Sequence, residues 1–244
     1  MKNVVLITGA SSGIGYSTAE VFAQKGHDVI IHYLTHEKEA KTLAKYLEET
    51  YQSNTLCIKA DLRKEQEIEE MINTIIEYYG KLDVVVNNAG IAIDTTFEDK
   101  TTENFKKTLE VNLIGTFLVS KYASKIMIQN KKGCIINISS TNSIDSYYPY
   151  SMDYDSSKAG INLLTKNLAV EFSPYIRVNA IAPGWVNTPM NQELDNDYVE
   201  AETKKIALKR FAEPVEIAKI IYFLSCDEAS YINGSIIVAD GGRI

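Results

Sequence analysis

Short apolar runs, rich in Val and Ile, alternate with longer amphipathic segments along the whole chain, and this alternation restricts the fold more than any other feature. The runs are Val4–Thr8, Val29–Tyr33, Thr55–Ile58, Val84–Val86, Cys134–Ile138, Val178–Ile181 and Ser235–Val238. Several lack polar alternation, as strands covered on both faces do. Between them lie helix-length segments at about 14–26, 37–51, 64–79, 103–130, 153–173 and 214–226. Alternating strand and helix predicts an α/β fold: one doubly wound domain of about seven parallel strands with helices on both faces. A chain of 244 residues suits one such domain, and no linker, repeat or low-complexity stretch divides 1–244. Residues 185–212 break the rhythm. They are polar, contain Pro189, and are expected to lie over a site as a lid.

Composition removes several functions. Hydrophobic residues are 45%, charged residues 23% and the net charge is −7, as in a soluble globular protein without the basic face a nucleic acid requires. Cys57, Cys134 and Cys226 are odd in number, far apart and in apolar surroundings, so they read as reduced core residues. No Cys/His pair has zinc spacing, and His27, His32 and His36 lack visible partner ligands, so no metal is expected. No apolar stretch approaches the ~20 residues of a membrane span, and the run after Met1 is too short for a signal peptide. No membrane partner and a cytoplasmic location are expected.

Thr8-Gly9-Ala10-Ser11-Ser12-Gly13-Ile14-Gly15 follows the first strand and opens the first helix. A diphosphate needs close approach to backbone N–H groups and gains from the positive end of a helix; glycines allow that approach. The spacing is G-x3-G-x-G, and a simple tight turn is the competing reading. An acid at the end of the second strand would bind the adenosine ribose hydroxyls and select NAD. None stands between Ile30 and His36. Tyr33, Thr35 and His36, with Lys38, would leave a 2′-phosphate unopposed, so NADP(H) is favoured and NAD(H) is the alternative.

Tyr154 and Lys158 are four apart at the start of a helical segment, hence on one helix face. A free phenol, with pKa near ~10, is a poor acid–base group at neutral pH; a neighbouring ammonium is expected to lower it and fit it for proton transfer at a carbonyl. A merely solvated helix face would show the same spacing, but other residues converge. Ser139 and Ser140 end the fifth strand at the carboxyl edge, where open α/β sheets bind ligands, and Asn87-Asn88-Ala89-Gly90 ends the fourth. Asn112 interrupts an apolar helix, where its amide requires a partner.

Together these residues resemble the short-chain dehydrogenase/reductase family, in its single-domain Rossmann branch. The resemblance spans the chain, from the Thr8–Gly15 loop through Asp61, Asn87–Gly90, Asn112, Ser140 and Tyr154–Lys158 to Pro183-Gly184 and Asp240-Gly241-Gly242. It implies an NAD(P)-dependent oxidoreductase moving a hydride between nicotinamide and a secondary alcohol or ketone. Tyr154 would be the acid in reduction and the base in oxidation. Lys158 would tune Tyr154 and hold the nicotinamide ribose. Ser140 would bond the substrate oxygen, and Asn112 a relay water. Gly9, Ser11, Ser12, Gly13, Ile14 and Gly15 would surround the diphosphate. Asp61 and Leu62 would meet adenine, and Asn88, Ala89 and Gly90 the adenosine and ribose. Pro183, Gly184, Val186 and Thr188 would meet the nicotinamide amide.

The chain departs from the family pattern in places. Ser12 stands where many NADP-dependent members carry Arg. Ser140 lies one residue further from Tyr154 than is usual, with Ser139 as the alternative. Asp153 and Asp155 flank Tyr154 and are expected to point away from it. Pro174 and Tyr175 replace a carrier-protein-facing Arg of the 3-oxoacyl-carrier-protein reductases, against carrier docking, for which Lys121, Lys125, Lys131 and Lys132 are the alternative patch. Tyr147, Tyr148 and Tyr150 crowd the loop before the catalytic helix, and at least one is expected in the substrate pocket. A 3-oxoacyl thioester, a sugar or polyol, and a cyclic ketone are the candidate substrates. The competing readings are an epimerase or dehydratase of the longer branch and a non-enzymatic dinucleotide sensor; the glycine spacing opposes the first and the intact Ser/Tyr/Lys set the second. Ile161, Leu164, Leu168, Ile220, Ile221 and Phe223 are expected to leave apolar surface for a homotetramer, with a dimer as the alternative.

Overall fold

In a computed structural model, which describes residues 2–191 and 194–243, the runs of branched apolar residues form one sheet. Its strands are β1 (Val4–Ile7), β2 (Asp28–Tyr33), β3 (Thr55–Lys59), β4 (Val84–Asn87), β5 (Gly133–Ile138), β6 (Ile176–Pro183) and β7 (Ile236–Ala239). The order is β3-β2-β1-β4-β5-β6-β7, and every neighbouring pair is parallel. β1, β2 and β4 are buried along their whole length, as their unalternated sequences require. Val5, Ile7, Val29, Ile31 and Val86 pack to one side with Phe22 and Leu43. Leu6, Ile30, Val85 and Ile135 pack to the other with Ile68, Met71 and Met127. The chain therefore has a helical layer on each face.

The helices are α1 (Gly13–Gln24), α2 (Glu37–Tyr51), α3 (Glu65–Tyr79), α4 (Thr102–Leu109), α5 (Gly115–Gln129), α6 (Met152–Glu171), α7 (Asn196–Lys204) and α8 (Pro214–Ser225). The single segment expected over 103–130 is two helices joined by a π-helical turn, Glu110–Ile114, with Asn112 inside it and fully buried. The Asn112 amide donates to Ile91 O (2.9 Å) and Ser157 Oγ (3.0 Å) and accepts from Ile91 N (2.8 Å). Satisfying a buried amide from two directions holds the wider turn. α7 lies within 185–212, where sequence periodicity gave no helix; Gln192 and Glu193 of that stretch lie outside the described residues.

The apolar surface is distributed differently from expectation. Ile161, Leu168 and Ile221 are buried within the chain because their helix faces meet the sheet. The exposed apolar side chains around α5 and α6 are instead Ile114, Phe117, Ile128, Leu163 and Val170, and Phe223 is exposed on α8.

Candidate active site

Two adjoining cavities open at the carboxyl edge of the sheet. The larger, about 520 Å³, runs from the glycine loop past the end of β2 to Tyr154 and Lys158. The smaller, about 210 Å³, lies between Ser140, Tyr148, Trp185 and Tyr198. Tyr154 and Met190 are the residues common to both linings.

The larger cavity is shaped for a dinucleotide. Gly9 and Gly13 have φ of +63° and +56°, a region side chains avoid. A Cβ on Gly9 would stand 2.9 Å from Ala89 Cα, and one on Gly15 would stand 2.5 Å from Asn88 Nδ2. α1 has no acid in its first turn and Ser12 makes no side-chain cap, so its amides and positive end face the cleft. These features fit a diphosphate. The loop is fastened from beneath. Thr8 Oγ1 accepts from Asn88 N and Ala89 N (both 3.0 Å), and Asn88 Nδ2 donates to Thr8 O (2.9 Å) and Gly9 O (3.0 Å).

A further fastening escaped sequence reading. Gly9 N donates to His32 Nδ1 (3.1 Å), and His32 Nε2 pairs with Ala60 O (3.0 Å). Nδ1 must accept, so Nε2 carries the proton. Burial pushes His32 down to about 4, so the ring is neutral and stays an acceptor across physiological pH. Its position inside an otherwise apolar strand was the available signal.

Around the adenosine end, Tyr33, Thr35, His36, Asp61 and Leu62 line the cavity, together with Leu34 and Arg63. Arg63 grips Asp61 through Nη2–Oδ2 (2.6 Å) and holds that carboxyl below the usual range. Ser11, Ser12, Ile14, Ala89, Gly90 and Thr188 also line it. Gly15, Asn112, Pro183 and Val186 do not: Gly15 and Asn112 shape the wall from behind, Pro183 ends β6 and Val186 is buried in a bridge to Ala212. Gly184 and Ser140 line the smaller cavity instead.

At the junction, Lys158 is buried and donates to Ile138 O (2.7 Å), with Nζ 5.3 Å from the centre of the Tyr154 ring. Burial acts on both groups, against the acidification of Tyr154 by Lys158 expected from their spacing. Burial pushes the phenol up to about 12, opposed by its bond to the Ser140 hydroxyl, and burial brings Lys158 down to about 8. At this depth loss of solvation outweighs an ammonium that is directed at a backbone carbonyl. A phenol that keeps its proton at neutral pH, beside a hydroxyl, can donate that proton to a carbonyl oxygen.

The two serine hydroxyls point in different directions. Ser139 is buried and bonded to Lys158 O (3.2 Å) and Ser143 Oγ (3.0 Å), whereas Ser140 faces the smaller cavity and Tyr154. Of the three loop tyrosines, Tyr148 lines that cavity; Tyr147 and Tyr150 are largely exposed. Trp185, Tyr198, Asp94 and Arg243 complete much of its wall and were not anticipated as site residues.

A parallel sheet with a dinucleotide-shaped cleft at its carboxyl edge, meeting a Ser/Tyr/Lys cluster, defines a nicotinamide-dependent oxidoreductase. A family model described as enoyl-(acyl carrier protein) reductase matches residues 9–243. The chain is 38% identical to the 3-oxoacyl-[acyl-carrier-protein] reductase FabG of Thermotoga maritima, over 99% of this chain and 97% of that protein. It is 34% identical to glucose 1-dehydrogenase 2 of Bacillus subtilis, over 97% and 93%. A solved structure titled ElxO with NADP bound superposes with a TM-score of 0.90 at 35% identity, covering 99% of this chain and 98% of that one. The chain belongs to the short-chain dehydrogenase/reductase family, and it is an oxidoreductase acting between secondary alcohols and ketones.

Proposed function

We propose that the protein is an NADP(H)-dependent ketone reductase in which Tyr154 protonates the substrate oxygen. The observation that carries this reading is that Tyr154 stands in the wall of both cavities, with its hydroxyl bonded to Ser140 at the substrate pocket. When bound in the larger cavity, the cofactor supplies the hydride. Ser140 and Tyr154 together orient the carbonyl oxygen, and Lys158 holds the nicotinamide ribose. The glycine loop and the α1 N-terminus hold the diphosphate, and Asn112 fixes the turn behind Lys158. The NADP preference draws on the acid-free rim Tyr33–His36 and on the NADP-bound relative. Residues 185–212 serve as the lid, since Thr188, Pro189 and Met190 reach the cleft while Trp185 and Tyr198 reach the pocket.

A 3-oxoacyl thioester or related 3-oxo ester is the first substrate class, by likeness to the FabG relative. A sugar or polyol is the second, favoured by the polar wall of Asp94, Asn142 and Ser151. The test is oxidation of NADPH and NADH with ethyl 3-oxobutanoate, 3-hydroxybutan-2-one and cyclohexanone, and reduction of NADP⁺ with glucose. We expect turnover with at least one carbonyl and a kcat/KM at least about tenfold higher with NADPH, a difference of about 1.4 kcal/mol. Equal or better use of NADH would remove the NADP assignment.

We further propose a cytoplasmic homotetramer. Among the described residues no helix is long and apolar enough to cross a membrane, and the three cysteines are free thiols. Ile114, Phe117, Leu163 and Val170 expose apolar area around α5 and α6 that assembly would cover. Light scattering returning the mass of a single chain would rule the tetramer out.

A further inference from the structure

The two carboxylates beside Tyr154 point away from its hydroxyl, and each is tied to a different wall of the substrate pocket. Asp153 is fully buried and pairs with Lys100 Nζ at 2.8 Å, itself only 4% exposed at the side chain. Its second oxygen accepts from Thr108 Oγ1 at 2.7 Å. The same Lys100 ammonium also donates to Ile93 O. Asp153 therefore ties the start of α6 to α4 and to the 92–100 loop, whose Ala92 and Asp94 form one wall of the pocket. Asp155 accepts from Asn142 Nδ2 at 2.8 Å and from Tyr148 N at 2.9 Å. It ties the same helical turn to the 140–148 loop, whose Ser140, Thr141, Asn142 and Tyr148 form the opposite wall.

A helix start tolerates acids for dipole reasons alone, but an exposed acid would satisfy that preference. A buried carboxylate is retained only when its oxygens are paired, and removal of either partner leaves an uncompensated group. Asp153 is buried and Asp155 half-buried; Asp153 is paired with Lys100 and Thr108, 53 and 45 positions away, and Asp155 with Asn142 and Tyr148 of the opposite loop, so each acid is tied to one of the two walls that face Tyr154 across the substrate. Resting on the reading of Tyr154 as the proton donor, we propose that Asp153 and Asp155 are positioning residues that hold the two pocket walls at a fixed separation on either side of Tyr154. Their effect is on how a ketone is seated, and neither touches the dinucleotide cleft.

Asp155→Asn tests one wall. It preserves size and one acceptor for Tyr148 N, but turns an amide nitrogen or loses an acceptor toward Asn142. Lys100→Met alone would strand the Asp153 charge and destabilise the fold, so the double substitution Lys100→Met with Asp153→Leu tests the other wall without an orphan charge. Steady-state kinetics with ethyl 3-oxobutanoate, or the best ketone of the panel, are read as separate constants. Both variants are expected to raise the ketone KM about five- to tenfold, leaving the NADPH KM within about twofold and kcat within about threefold, because displaced pocket walls weaken seating more than cofactor binding. An unchanged ketone KM in both variants overturns the proposal. So does a uniform loss that follows only the folded fraction measured by circular dichroism. Tyr154→Phe separates the two levels: if that variant is inactive while the acid variants behave as wild type, the proton donor stands and the positioning role falls.

Discussion

Tyr154→Phe is expected to lower kcat/KM for ketone reduction about 10³-fold, close to 4 kcal/mol of transition-state stabilisation. The substitution removes one oxygen and leaves the ring that lines both cavities. The dinucleotide cleft keeps its shape, so the dissociation constant for NADPH, followed by protein fluorescence, should change by less than about threefold, well under 1 kcal/mol. Ser140 would lose its phenol partner but keep its backbone contact, accepting from Asn142 N at 3.2 Å. The fold should therefore persist with similar stability. A variant that kept a tenth or more of wild-type activity on a good substrate would remove the phenol from the chemistry. Proton donation would then have to come from Ser140 or from water.

Lys158→Met should abolish turnover, by about 10²-fold or more, and at the same time make the protein more stable. Burial brings Lys158 from the lysine value of 10.5 to about 8. Carrying its charge at neutral pH costs the fold about 3 kcal/mol. Methionine fills the same space without a charge but leaves Ile138 O without its donor, which returns about 1–3 kcal/mol. A net gain of about 0–2 kcal/mol raises Tm by at most roughly 4–8 °C in a domain of this size. The sign fixes the pH dependence. The folded pKa lies below the unfolded one, so the penalty is full below pH 8, shrinks between pH 8 and 10.5, and vanishes where the unfolded lysine is also neutral. The stability difference between the two proteins should narrow as pH rises from 8 towards 10. A methionine variant less stable than wild type at pH 7, or a gap independent of pH, would contradict the buried-ammonium account.

Both effects spring from one arrangement: the residues placed to move a proton are held where their charged forms are expensive. His32 illustrates the opposite use of burial. There the neutral ring is the useful form, because Gly9 N needs an acceptor beneath the glycine loop, and burial keeps that acceptor in place.

Much of this molecule was written in local patterns. Unalternated Val/Ile runs mark strands covered on both faces, because apolar residues at consecutive positions must be buried on both sides of a sheet. Gly9, Gly13 and Gly15, and the four-residue step from Tyr154 to Lys158, likewise follow from short-range geometry: a positive φ, a close backbone approach, one helical turn. What the sequence could not determine depends on contacts between distant segments. The choice of Ser140 over Ser139 rests on which hydroxyl β5 turns towards Lys158. The π turn at Asn112 needs Ile91 and Ser157 beside it, and the pairing of Asp153 with Lys100 spans 53 positions. The spacing of Tyr154 and Lys158 makes them neighbours, and only the tertiary fold decides how much water each loses. Periodicity is a property of the chain; solvation is a property of the packed molecule.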